Sequence, residues 1–520
     1  METDVLVVGA GPTGLVLAYL LARMGVRVRI VDQANGPGET SRALVLQART
    51  LEIYRQLGFA DPVVAAGVEV TAVNLWARGE KAAHVEFGGL GAIDSPFPFA
   101  VIFPQDEHER FLGDRLAEVG VEVERRVRLT DFREEAEGIE AELEGPAGRT
   151  TCRCLFLAGC DGARSAVRQK LGLGFPGGTY EHLFYVADVD AGGPLVNGEL
   201  HVSFDESDFA ALFPLAGTGR VRLIGTIRPE QEHAADRLGW DDVSPRLLEQ
   251  LRVDVQRVNW FSTYRVHHRV AERFRSWRAF LLGDAAHIHS PVGGQGMNTG
   301  IGDAVNLGWK LAAVVRGRAP VSILDSYEPE RIGFAQRLVA TTDRVFELAT
   351  RSGPLAAAVR VQIMPRVIGA AFRARAVRRF LYRTVSQTAI HYRGGELGAG
   401  HAGRIAGGDR LPWVSPGPDN FAPLAALDWQ AHVYGTAAEA LRNICQSRGL
   451  PLHVFPWSAD AERVGLARDA LYVIRPDGYV GLADASAHPA ALEHYLDARG
   501  LRLVPSSAGA DAPPPAPPPA

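Results

Sequence analysis

Three short stretches combine glycine with an acid in ways that chemistry could use. Gly9, Gly11 and Gly14 form a G-x-G-x-x-G pattern between an apolar run, Asp4–Val8, and a helical run reaching Met24. In such a turn the first glycine permits a tight bend and the second lets a pyrophosphate approach the backbone. The third lets helix and strand pack closely. The helix N-terminus then presents roughly half a positive charge to the phosphates. Asp32 ends the next apolar run, 18 residues after the last glycine, where a carboxylate can hold ribose hydroxyls. A dinucleotide is the expected ligand, but this motif does not choose between FAD and NAD.

The second stretch makes that choice. Gly283-Asp284-Ala285-Ala286-His287 follows the apolar run Phe280–Leu282 and leads through Ser290-Pro291-Val292-Gly293-Gly294-Gln295-Gly296-Met297-Asn298 into a helix. The acid can bond a polyhydroxyl chain such as ribityl, and the glycines bare N–H groups for the carbonyl edge of a flat ring. The helix points its positive end at that edge, which favours an anionic reduced flavin. A nicotinamide enzyme needs no such half-site, so FAD is expected. In the third stretch, Leu155–Ala158 runs into Gly159-Cys160-Asp161-Gly162. Three strands ending in glycine-plus-acid turns predict one sheet whose carboxyl edge gathers three loops around a ligand.

The elements that position these loops come from separate parts of the chain. Residues 1–175 and 269–345 are expected to form a discontinuous, Rossmann-like α/β FAD-binding domain. Between them, 176–268 alternates at Leu200–Phe204 and Val221–Ile227, which predicts an inserted antiparallel-sheet substrate domain. A helical pattern at Ile301, Val305, Gly308, Leu311, Ala312 and Val315 is closed by Gly317 and Pro320. Residues 346–396 read as a helical linker, in which Leu348–Gly395 holds nine arginines and no acid. A solvated helix joining two domains is the simple reading; a face for an anionic partner, a membrane surface or another subunit is the alternative. Residues 397–505 suggest a further small α/β unit, and the Pro-rich 506–520 a disordered tail.

Composition excludes several classes. A net charge of −5 over 520 residues argues against nucleic-acid binding. Only Lys81, Lys170 and Lys310 among 55 basic residues are lysines, a bias toward arginine without a site in it. Cys152 and Cys154 lack partners at zinc spacing, so no metal is expected. With Cys160 and Cys445 they read as thiols of a reducing cytoplasm, mostly buried. Val5–Ala22 carries no charge over roughly the length of a short membrane span. Acids precede it, however, and Gly9, Gly11, Pro12 and Gly14 interrupt it. The expectation is a cytoplasmic monomer or homodimer with no membrane span.

Together these features resemble the class A flavoprotein aromatic hydroxylases, the para-hydroxybenzoate hydroxylase family, in its larger phenol- and aromatic-polyketide-hydroxylase-like branch. The resemblance covers about residues 3–345. It rests on the glycine fingerprint, on Cys160-Asp161-Gly162-Ala163-Arg164-Ser165 with Arg168, and on Gly283-Asp284, in that order. It implies FAD as cofactor, NADPH or NADH as co-substrate, and hydroxylation of a small aromatic substrate by O2 through a flavin C4a-hydroperoxide. It implies that Thr13, Asp32, Gln33, Arg42 and Gln105 contact the adenosine and pyrophosphate side. Asp284 would bind the ribityl, Gly296, Met297 and Asn298 the pyrimidine ring, and Pro291 would lie near the reacting edge. Asp161 and Arg164 are linked by it to FAD and NAD(P)H. The family more often has Glu where this chain has Asp32. Gly408-Asp409-Arg410-Leu411-Pro412 and Leu471–Gly478 resemble its appended thioredoxin-like domain, here without C-x-x-C and so without thiol chemistry.

A base that deprotonates a phenol would help such a reaction. His182, Tyr185, His201 and Asp205 are the candidates in the inserted sheet, but none stands in a motif and the catalytic residue stays unassigned. Phe204, Phe209, Leu212, Phe213 and Pro214 serve equally as pocket lining or core, and His287 reads as a packed histidine beside the cofactor. Baeyer–Villiger ring opening or epoxidation remains open, as does a non-catalytic FAD-binding protein. A flavin halogenase would need W-x-W-x-I-P, which is absent.

Overall fold

The computed structural model describes residues 2–38, 43–77, 79–86, 94–204, 209–227, 238–243, 248–249, 251–289, 294–350 and 374–503, excluding the side chains of 180–182, 204, 209, 339–350 and 375. The described chain divides into two compact units, one built from residues 1–306 and 328–390, the other from 307–327 and 391–520.

The first unit opens with β1 (Val5–Val8), α1 (Pro12–Arg23) and β2 (Val28–Asp32). β1 is Val-Leu-Val-Val and buries every residue, as a strand covered on both faces must. α1 buries its own apolar residues from Leu15 to Leu21, so the charge-free run is a strand and a core helix. Two distant strands complete the sheet's centre, β3 (Phe156–Gly159) and β4 (Ala279–Leu281). The order is Arg275–Ser276, β4, β3, β1, β2, Val123–Arg125, all parallel except the short first strand. The three strands that feed the glycine–acid loops are therefore neighbours.

A second, eight-stranded sheet contains Gly177–Gly192, Leu200–Phe204, Phe209–Pro214, Arg220–Thr226 and Asp254–Val270. It also takes in Ala72–Ala77 and Glu80–Glu86 from earlier in the chain and His287–Ile288 from later. It is thus wider than the expected span 176–268. Ala72–Ala77 pairs in parallel with Leu200–Phe204, a partnership across more than a hundred residues that local alternation does not reveal. A small sheet of Val45–Leu46, Ala100–Ile102 and Val68–Val70 packs in the same unit.

α2 (Gly296–Val315) begins in the first unit, and from Leu307 its residues belong to the second. The second unit carries a six-stranded sheet in the order Ile405–Ala406, Ala399–Ala402, Val480–Asp484, Leu471–Ile474, Gln430–Tyr434, Leu452–Phe455. Gln430–Tyr434 and Leu452–Phe455 are parallel, while Leu471–Ile474 runs antiparallel to both of its neighbours. Inside this unit Arg475 pairs with Asp477 at 2.6 Å, and Trp309 donates to the same carboxylate at 3.0 Å. Cys152, Cys154 and Cys445 are buried and Cys160 partly so; none forms a disulfide. Among the described residues no helix is long and apolar enough to cross a membrane, and no group of His, Cys, Asp and Glu could hold a metal ion.

Candidate cofactor and substrate site

The glycine turn after β1 is built by close contact. Gly9 has φ +103, and a Cβ there would overlap the carbonyl of Cys160. A Cβ at Gly14 would overlap the carbonyl oxygen of Gly9. Gly11 differs: among the described residues the nearest atom to a Cβ at that position is Glu109 Oε1 at 4.0 Å, which leaves its flank open among them. α1 starts at Pro12 without a side-chain cap, leaving the N–H groups of its first turn for a ligand. Asp32 closes the turn from below, accepting from Ala10 N–H at 2.6 Å and Ala34 N–H at 2.7 Å. An open glycine flank, an uncapped helix start and an adjoining carboxylate fit a dinucleotide. Gln33 is exposed beside Asp32. Gln105 donates to Glu109 at 2.7 Å, and Glu109 accepts from Gly38 N–H at 2.9 Å. Glu109, which stands in no sequence motif, has its Oε1 4.0 Å from where a Cβ on Gly11 would sit. Arg42 and Pro291 lie outside the described residues.

The loop after β4 packs directly on that turn. Thr13 Oγ1 lies 2.8 Å from where a Cβ on Gly283 would sit, and it would overlap a Cβ on Gly300 of α2. Three glycine-containing segments thus meet at one threonine. Gly283 N–H donates to Asp303 Oδ2 at 3.0 Å, His287 Nε2 bonds the same oxygen at 2.7 Å, and Arg331 donates to Oδ1 at 2.6 Å. Burial opposes ionisation of Asp303, but Arg331 and His287 outweigh it and hold its carboxyl below the usual range. His287 is a packed histidine, 1% exposed, serving as a strut for the loop. Asp303 and Arg331 were invisible in the sequence because neither stands in a motif and they lie 28 residues apart on different helices. Asp284 is exposed at the loop's tip.

Asn298 departs from expectation in how it works. Its Oδ1 accepts from Gln47 N–H at 2.9 Å and Thr50 Oγ1 at 2.7 Å, while Nδ2 donates to Val45 O at 2.8 Å and Gly294 O at 2.7 Å. The side chain is occupied as a clamp on the Val45–Thr50 segment. What it leaves for a flat ring is the backbone N–H, with those of Gly296 and Met297 in the same first turn.

The loop after β3 is tied to its neighbour by Arg168, which donates to Ala285 O at 2.8 Å and Ala163 O at 2.7 Å. Arg164 is exposed. Asp161 accepts from Val167 N–H at 3.1 Å, yet its Oδ1 is buried without a hydrogen-bond partner among the described residues. Burial pushes this carboxyl above the usual range, against the bonds from Ser165 and Val167. A raised value means that the ionised form costs stability, fully so at high pH and not at all below the ordinary carboxylate range near 3.9. Asp161→Asn is therefore expected to raise the melting temperature of the cofactor-free protein at pH 8, with the gain vanishing toward pH 4. Calorimetry across that range checks it; a loss of stability at pH 8 would contradict it.

The second sheet separates the remaining candidates by face. Tyr185 is buried with Leu183, Ala187, Leu212 and Leu223 in a cluster that also takes in Leu238, Trp240, Val243, Leu248, Leu251 and Val253. His201 pairs in register with Leu212 and bonds Trp76 at 3.1 Å and Asn197 at 2.9 Å, with burial lowering its pKa. Both belong to the face turned away from the loops. His182, Asp205, Phe204 and Phe209 lie outside what is described of side chains. Pro214 is buried, in register with Val221. The opposite face carries Phe184, Val186, Leu215 and Ile224 with the partly exposed Phe213, Trp260 and Tyr264, packed with Leu44, Val45 and Ile102. Val45 is the residue that Asn298 clamps, so this aromatic face adjoins the start of α2. Beside it Arg222 holds Asp188 through two bonds of 2.6 and 2.7 Å, with its guanidinium 5.7 Å from the Trp260 ring centre.

A nucleotide cradle and a second half-site for a flat ring, on one parallel sheet, define a flavoprotein. Residues 2–342 match the FAD binding domain family, and the chain belongs to it. It is 39% identical over 345 residues to a 6-methylpretetramide 4-monooxygenase from Streptomyces rimosus, covering 65% of this chain and 61% of that relative. It is 32% identical over 506 residues to a rifampicin monooxygenase from Rhodococcus hoagii, covering 93% and 96%. The solved structure of an anhydrotetracycline hydroxylase, OxyS of Streptomyces rimosus, superposes with a TM-score of 0.78 at 27% identity, covering 97% of this chain and all of that one. The protein is an FAD-dependent aromatic monooxygenase.

Proposed function

We propose that this chain hydroxylates a polycyclic aromatic, polyketide-type substrate laid against the inner face of the second sheet. The observation that carries this is the partly exposed aromatic surface of Phe213, Trp260 and Tyr264 beside the start of α2. The names of the relatives, which give 6-methylpretetramide, rifampicin and anhydrotetracycline as their substrates, support it. Bound FAD would supply hydride acceptance from NADPH or NADH and transfer of one oxygen atom of O2.

The chain's own residues would hold and shield that cofactor. Gly9, Gly11, Thr13, Gly14 and the N-terminus of α1 would take the pyrophosphate, with Asp32, Gln33, Arg42 and Gln105 on the adenosine side. Gly283 and Asp284 would meet the ribityl, Asp161 would stand beside the cofactor with Arg164, and Gly296, Met297 and Asn298 would offer backbone N–H groups to the ring's carbonyl edge. Pro291 would lie near the reacting edge. The apolar wall would exclude water. The order and senses of the second unit's strands support the reading of 397–505 as a thioredoxin-like domain. We place the protein in the cytoplasm as a monomer or homodimer.

The test is a panel of monocyclic phenols and polycyclic phenols or quinones, with NADPH consumption, H2O2 and product mass recorded. A polycyclic product heavier by one oxygen, with little H2O2, supports the reading. An oxygenated product with an opened or expanded ring would replace it with Baeyer–Villiger chemistry. Trp260→Ala is expected to weaken polycyclic substrate binding about tenfold or more, since a buried aromatic contact is worth roughly 1–3 kcal/mol. Its flavin content should be unchanged, which titration and absorbance would check.

A further inference from the structure

The segment expected to be a linker is built into the flavin end of the first unit. Its helix, Arg375–Val385, is anchored by Arg379, which grips Asp94 through bonds of 2.9 and 2.7 Å, and by Tyr382, which donates to Phe97 O at 3.2 Å. The next three residues, Ser386, Gln387 and Thr388, are buried. Ser386 O accepts from Arg49 N–H at 3.1 Å, one residue from the Val45–Thr50 segment's contacts with Asn298. Gln387 adopts φ +62, a left-handed conformation that a non-glycine residue holds only when its surroundings fix it. They do: its Nε2 donates to Gln295 Oε1 and to Thr299 Oγ1, both at 3.0 Å. Thr299 Oγ1 in turn donates to Gln295 O at 2.9 Å, and Gln295 Nε2 reaches Val385 O at 3.4 Å.

Gln295 immediately precedes α2, and Thr299 closes its first turn. A single glutamine, held in a strained backbone conformation, therefore brackets the turn that contains Gly296, Met297 and Asn298. We propose that Gln387 is a positioning residue for the flavin. It fixes the register of the first turn of α2, and so the aim of the Met297 and Asn298 N–H groups at the carbonyl edge of the ring. This rests on the reading above that those N–H groups face the ring. Arg331 donates to Thr299 O at 3.1 Å from the other side, so the turn is held between two elements far apart in sequence.

The test uses holoenzyme carrying FAD labelled with carbon-13 at the pyrimidine C2 carbonyl, whose resonance reports hydrogen bonding to that carbonyl. Gln387→Asn tolerates the left-handed backbone and keeps the amide, but is one methylene too short to reach Gln295 and Thr299. Its C2 resonance is expected to move toward the value in an aprotic solvent, and its FAD to bind roughly five- to tenfold more weakly, the loss of about one hydrogen bond. Gln387→Gly, which relieves the backbone while removing the side chain, should show the same displacement and carries the test if the asparagine variant does not fold. Wild-type resonance in both variants would overturn the role of Gln387 and leave the ring-edge reading intact. A wild-type resonance lacking any hydrogen-bonded displacement would overturn the ring-edge reading itself, and this role with it.

Discussion

A Gly14→Ala chain is expected to purify without yellow colour and with a less stable first unit. The methyl group has no room, because the obstacle is the carbonyl oxygen of Gly9 and, at 3.2 Å, Cys160 Cβ. Neither is the movable tip of a long side chain, so α1 must slide away from β1 and β3. Overpacking of this kind costs roughly 1–3 kcal/mol, and more where the backbone is the obstacle. Gly11→Ala is the informative contrast. Among the described residues nothing lies within 4.0 Å of its added methyl except Glu109 Oε1 at that distance, so the cofactor-free protein should melt like wild type. It should still lose FAD, because the methyl occupies the flank where the pyrophosphate is proposed to approach. Flavin-to-protein absorbance and thermal melts of the two variants check both halves. Normal FAD content in Gly11→Ala would show that the phosphates lie elsewhere.

Replacing Asp303 by Leu is expected to have the second-largest effect. Asp303 and Arg331 are 1% and 2% exposed, and the substitution leaves a buried guanidinium without its carboxylate. Breaking a buried pair in this way costs about 3–5 kcal/mol. Gly283 loses the acceptor of its N–H as well, so the loop bearing Asp284 should loosen and FAD should dissociate on mild heating before global unfolding. The pH dependence has a definite sign. The folded carboxyl lies below the usual range, so its contribution is complete above the ordinary value near 3.9 and disappears as pH falls through the folded value. Wild type should therefore lose stability and flavin on acidification below about pH 4. Asp303→Asn should be weaker at neutral pH and show a flatter acid profile. An Asp303→Leu protein with wild-type melting and flavin retention would contradict the network's role.

The parts of the site that the sequence makes legible are those whose physics is local. Gly9, Gly11 and Gly14 work within one turn, and the strand, glycine and acid order repeats at Asp161 and Asp284 within a few residues each time. Those repeats predict one sheet for β1, β3 and β4, and the structure makes the three strands neighbours in it. What stayed hidden depends on contacts between distant single residues. Asp303 meets Arg331 and His287, Asn298 meets Gln47 and Thr50 some 250 positions away, and Gln387 meets Gln295 and Thr299. Nothing in the local pattern of Gln387 distinguishes it from a surface glutamine. The arginine-rich stretch read as a linker because charge pattern reports exposure, whereas the buried Ser386–Thr388 that follows its helix is too short to give a periodic signal. Tyr185 and His201, which stand in no motif, lie on the sheet face opposite Phe184 and Ile224, which the strand register decides and composition does not.

The most direct test is anaerobic addition of NADPH, and separately NADH, to the purified protein with a phenolic aromatic substrate present, followed by air. Bound FAD is expected, with bleaching of its visible absorbance before air is admitted, and then return of colour with a product heavier by one oxygen atom and little H2O2. A protein that holds no FAD, or whose FAD neither cofactor reduces in the presence of substrate, would contradict it.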